Sequence, residues 1–186
     1  MTPAETPAPA ARADEATAWF GVVVGLSAWA MFFAALAFSA GYLRMRESWP
    51  LVGMPALPRI LPAVAVLLLA AAGALLHVGG RAARGTLHAV GALAALVGSL
   101  AVQGLVLGTL WSKGLQLPQG GAYASVVYGL GALHGAHVLV AVLGLARELV
   151  RGARGRPVGG ALRLWALYGF FLAVTGLILY AAVYLP

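Results

Sequence analysis

Five long apolar stretches, separated by short polar or basic segments, organise this chain. They run from about Trp19 to Leu43, Ile60 to Val78, Thr86 to Trp111, Ala122 to Ala146 and Leu164 to Tyr184. Each is near the roughly 20 residues needed to cross a hydrocarbon core as a helix. The segment between the first two contains Pro50, Pro55 and Pro58, which no helix would continue through. A short Gly79–Gly85 turn makes the second and third spans an antiparallel hairpin. A Gly- and Pro-containing loop, Ser112–Gly121, leads to the fourth span, and the basic loop Arg147–Arg163 to the fifth. Residues 1–17, rich in Ala, Pro and Thr without an apolar period, read as a disordered tail. Acidic residues precede the first apolar run, so the start does not read as a secretory signal. The predicted fold is all-α, an integral membrane bundle of five transmembrane helices.

Composition agrees and narrows the chemistry. The 186 residues are 62% hydrophobic and 9% charged. Cysteine is absent, which removes disulfides, thiolate metal sites and a cysteine nucleophile. The five acidic residues are Glu5, Asp14 and Glu15 in the tail, Glu47 in a loop and Glu148 at a helix end, so no carboxylate is expected at mid-membrane depth. The net charge of +7 reflects basic loops rather than a nucleic-acid surface. Arg12, Arg81, Arg84, Arg147, Arg151, Arg154, Arg156 and Arg163 fall on one side of the membrane. Arg44, Arg46, Arg59 and Lys113 fall on the other. This asymmetry predicts a cytoplasmic N-terminus and an outside C-terminus. Arg81, Arg84, Arg151 and Arg154 are the candidates for lipid-headgroup contacts.

Few polar residues belong inside the bilayer. His134 and His137 lie three apart in the fourth span, among the small residues Ala132, Gly135 and Ala136. They could ligate haem or a metal, relay protons, or hydrogen-bond a hydroxyl or carbonyl of a neighbouring helix. His77 and His88 lie near the basic surface, at a different depth, and no Cys, Asp or Glu is available as a partner. The residues therefore favour interhelical bonding. Gln103 is the other deep polar group and needs a partner in lipid. Tyr123, Tyr128, Trp49 and Trp111 suit one membrane interface and Trp165 the other, with Trp29 mid-span against a partner or lipid. Tyr123, Ser125 and Gly135 join His134, His137 and Gln103 as the candidates for interhelical packing and polar contacts. Gly21/Gly25 and Gly104/Gly108 have the spacing that permits close helix packing. No nucleophile arrangement, phosphate loop, metal motif or dinucleotide fingerprint is present, so neither catalytic nor metal-binding residues are assigned. This pattern suits a subunit of something larger better than an enzyme acting alone.

One stretch resembles a known family. Tyr123-Ala-Ser125 followed by His134-Gly-Ala-His137-Val138 is similar to the signature of subunit III of haem-copper cytochrome c oxidases. Ala30-Met-Phe-Phe33, Tyr42-Leu-Arg44 and Trp49-Pro50 resemble that family's first core helix and following loop. The likeness continues from Arg59 to Leu69 and, more weakly, from Trp165 onward. Five spans suit the shorter bacterial members. Trp29 stands where the family usually has a glutamate, and Trp165-Ala-Leu-Tyr-Gly169 replaces a Trp-His-Phe-Val-Asp pattern. The acidic residue expected near the outer end of the third span is missing too. The family's carboxylates are therefore not carried over; His134, His137 and their small neighbours are. The resemblance implies a non-redox accessory subunit in a bacterial inner membrane, packed beside catalytic subunit I and other respiratory-chain subunits. Haem and copper would be held by the partners, phospholipid would be bound, and proton uptake during oxygen reduction would be supported. The alternatives are an accessory subunit of nitric oxide reductase, a small transporter or channel, and a haem-carrying membrane cytochrome b.

Overall fold

The computed structural model describes residues 9–82, 85–155 and 159–185. Five α-helices make up the described chain: α1 (Pro9–Arg46), α2 (Ile60–Gly79), α3 (Gly85–Ser112), α4 (Gly121–Ala153) and α5 (Gly159–Tyr184). Each contains a stretch long and apolar enough to cross a membrane. The chain is a multi-pass, all-helical membrane bundle by length and composition.

Three helices overrun their apolar stretches. α1 begins at Pro9, so residues 9–17 of the expected tail are helical, and residues 1–8 lie outside the described residues. α5 begins at Gly159, five residues before the expected Leu164. α4 continues to Ala153, past Ala146, because Arg147-Glu-Leu-Val-Arg151 are mostly good helix formers. Glu148 and Arg151, three apart, pair on one helix face. Hydropathy marks where lipid contact ends, whereas a helix stops where its backbone runs out of support.

α2 packs against both α3 and α5, and α4 packs against the same two. Among the described residues the α2 and α4 backbones do not approach each other closely, so these four helices form a ring with α2 and α4 on opposite sides. α1 lies outside the ring, against α5 and α4. The α1–α2 loop and the C-terminal end of α5 share one end of the bundle, here called the Trp49 end; the other is the Glu148 end.

Glycine sets the closest approaches, but not at the expected pairs. A Cβ on Gly21, Gly25, Gly104 or Gly108 would meet nothing within 4 Å, so neither GxxxG spacing mediates a contact in this fold. The tight seam is Gly73 of α2 against Gly169 of α5, where a Cβ on Gly169 would lie 3.0 Å from the Gly73 Cα. Between α4 and α5, the Trp165 ring rests on Gly144, where a Cβ would lie 2.0 Å from the indole. Small residues pack helices in lipid because close contact replaces the missing hydrophobic drive; which glycines do so depends on which face meets a neighbour.

The Trp49 end is tied by side chains to backbone. The last carbonyls of a helix have no partner within it. In α5, Trp49 Nε1 donates to the Val183 carbonyl at 3.1 Å and Arg44 donates to that of Ala182 at 3.3 Å. The Arg44 guanidinium also lies 5.9 Å from the centre of the Trp49 ring. The Tyr123 hydroxyl donates to the Pro55 carbonyl at 2.9 Å, and Tyr128 donates to Leu115 at 2.6 Å. Tyr123 is 1% exposed and meets the half-buried Trp49 ring edge-on. Both residues pin the loop to the bundle, Tyr123 as one of the expected packing and polar-contact residues. Trp111 is exposed and meets Tyr128 edge-on.

Candidate functional site

A buried polar belt crosses the ring near mid-bundle. His134 of α4 is 5% exposed, with its imidazole between α3 and α5. Its Nε2 lies 3.1 Å from the Leu172 carbonyl and its Nδ1 lies 3.3 Å from Gln103 Oε1. Gln103 Nε2 donates to Ser99 Oγ at 3.2 Å, and Ser99 donates to the Ala65 carbonyl of α2 at 3.0 Å. Thr175 of α5 donates to the Phe171 carbonyl and also to the Leu172 carbonyl that His134 contacts. All four ring helices are thereby joined through one run of hydrogen bonds. Gly176 provides the seat for the imidazole: a Cβ there would lie 3.1 Å from the ring. Gly135 faces α3, with the position of its absent Cβ 3.7 Å from Leu100 and 3.8 Å from Gln103 Oε1.

The belt constrains where its protons lie. Leu172 O and Gln103 Oε1 both accept, while a neutral imidazole carries a single N–H. A neutral ring satisfies both contacts when the Gln103 amide is turned over so that its N–H faces Nδ1 and the Ser99 hydroxyl turns from Ala65 to the amide oxygen.

His137 does something different. Its Nδ1 bonds the Leu133 carbonyl of its own helix at 2.8 Å, and among the described residues its imidazole has no hydrogen bond to a neighbouring helix, contrary to the expectation for both histidines. The ring packs edge-on against Trp29 at 4.6 Å and Phe33 at 5.2 Å, between centroids, and so seats α1. Three residues of helix separate the two histidines by about 60° around the axis, enough to give them different neighbours. It is the His137 backbone carbonyl that reaches another helix, accepting from Tyr168 at 3.1 Å.

Ser125 is exposed and bonds the Gly121 carbonyl of its own helix, so it takes no part in interhelical contact. Among the basic candidates, Arg84 lies outside the described residues. Arg81 is exposed and contacts His77, and Arg154 is exposed at the α4 C-terminus. Arg151 reaches both oxygens of Glu148, at 3.0 and 3.1 Å. Arg147 adds a third bond to that carboxylate at 3.3 Å. Glu148 is 6% exposed, inside α4 rather than at its end. Its burial beside two arginines could not be read from position alone.

Ser99 and Thr175 were also missed as belt members. Ser99 had one available signal: it precedes Gln103 by four residues, on the same helix face. Among the described residues, no three His, Asp or Glu side chains converge as metal ligands would. No protein-family model matches the chain, and no curated protein matches it.

Proposed function

We propose that this chain is an accessory, non-redox subunit of a haem-copper respiratory oxidase, of the subunit III type. The observation that carries the reading is the spacing of Tyr123, Ser125, His134, His137 and Val138, with Ala30-Met-Phe-Phe33 upstream. The fold supports it indirectly. His134 and His137 sit in packing roles, one inside the ring and one against α1. A scaffold with most of its polar groups committed to holding helices together suits a supporting subunit. In this role the chain sits in a bacterial inner membrane, N-terminus inside, beside the catalytic subunit. Haem and copper belong to the partners, and this chain holds phospholipid and supports proton uptake during oxygen reduction.

The test is purification from native membranes in mild detergent through a tag on this chain. Co-purification with subunits containing haem and copper is the expected result. Haem with non-haem iron instead of copper would identify a nitric oxide reductase assembly. A chain that runs alone, without haem-containing partners, would remove both readings and leave a small transporter.

A further inference from the structure

Inside the four-helix ring lies a cavity of about 60 Å³, lined by all four helices. It extends from Pro62 and Tyr184, near the Trp49 end, to His134 and Gln103 at mid-bundle. Beyond His134 the interior is closed by Leu76, Leu96, Val138, Leu145 and Leu172, each no more than 1% exposed. The pocket is half-open, with mostly apolar walls and His134 and Gln103 as its polar floor.

Among the described residues every buried side-chain N and O has a partner, yet the floor of the cavity keeps spare donor capacity. Gln103 uses one N–H on Ser99 and one oxygen lone pair towards His134, leaving its second N–H over. Tyr180 and Tyr184, which also line the cavity, stack on each other at 6.0 Å between centroids. A polar group without a partner in a bilayer interior is costly. A buried water needs roughly 10–15 Å³ of such space and two to four polar partners. The volume therefore has room for about four waters.

We propose that this cavity is a binding site for a short file of ordered water, reached from the Trp49 end and ending on the His134–Gln103 pair. The water completes the Gln103 amide and links it towards Tyr180 and Tyr184. Because the Glu148 half is packed shut, His134 communicates with the aqueous phase on one side of the membrane only. The proposal does not depend on the oxidase reading.

Hydroxyl-radical footprinting by X-ray radiolysis tests it in the unmodified full chain, with any co-purifying partners, in lipid nanodiscs. Radicals formed from internal water oxidise the side chains beside it. Leu69 and Leu130 line the cavity, whereas Leu96 and Leu145 are buried in packed regions away from it. Leu69, at 0% exposure, is as buried as Leu145. The expected result is oxidation of Leu69 and Leu130 severalfold faster than that of Leu96 and Leu145. Equal slow rates at all four would mean a dry cavity and would overturn the proposal.

Discussion

Replacing Gly144 by alanine adds one methyl group to α4, at the point where Trp165 of α5 covers it. The added Cβ would lie 2.0 Å from one indole carbon and 2.2 Å from another. Carbon atoms rest at about 3.5–4.0 Å, so the ring or the helix must retreat by about 1.5 Å. Overpacking of this kind costs about 1–3 kcal/mol, a factor of about 5 to 150 in the folded ratio at 1.4 kcal/mol per decade. Swinging the ring away relieves the clash, but it gives up the seat on α4 and the edge contact with Tyr168 at 5.9 Å. Loss of helicity during titration of the detergent-solubilised chain with SDS measures the effect. The decisive comparison is Gly144→Ala in a Trp165→Leu background. Without the indole the methyl group has no obstacle, and the glycine-to-alanine change then favours the helix by up to about 1 kcal/mol. The penalty should vanish or reverse sign. An equal loss in both backgrounds would refute the Gly144–Trp165 seat.

The α2–α5 seam behaves differently, because the obstacle is backbone. Gly73→Ala should destabilise by about 1–3 kcal/mol, since its Cβ would lie 3.2 Å from Phe170 N and 3.3 Å from Gly169 C. Gly104→Ala and Gly108→Ala, with open space around them, should stay within about 0.5 kcal/mol in the same titration; a penalty at Gly104 equal to that at Gly73 would contradict the seam. Tyr123→Phe removes the hydroxyl that holds Pro55 and should cost about 1–2 kcal/mol. Limited proteolysis within residues 47–59 should accelerate in that variant, and an unchanged cleavage rate would show that the loop is held by other contacts.

Hydropathy alone marks the five helices, because no water competes for backbone groups inside a bilayer and an apolar stretch of spanning length must satisfy them internally. The hairpin turn at Gly79 and the helix starts at Ile60, Gly85 and Gly121 fall within a residue of the sequence expectation. Helix packing is harder to read. Glycine is frequent along every span, so spacing pointed to Gly104/Gly108, whereas the contacts formed at Gly73, Gly144 and Gly176. What distinguishes these three is a bulky or backbone neighbour on another helix, which no local pattern encodes. The same limit separates His134 from His137: one imidazole turns into the ring and the other towards α1. Ser99 and Thr175 resemble ordinary small residues until the helices around them are placed, and Glu148 resembles a loop charge until α4 is seen to run past it.

The belt centred on His134 cross-links the four ring helices through one run of hydrogen bonds. Losing its two interhelical contacts, at roughly 0.6 kcal/mol each in a bilayer, and leaving Gln103 short of a partner should cost about 1–2 kcal/mol. The direct measurement compares His134→Leu with the unmodified chain in native membranes. For the oxidase assembly proposed above, it reads the amount of assembled complex, its haem spectrum and its turnover per complex. Fewer assembled complexes, each with an unchanged spectrum and nearly unchanged turnover, is the predicted result. Loss of haem absorbance with assembly intact would instead make His134 a ligand and contradict the structural role.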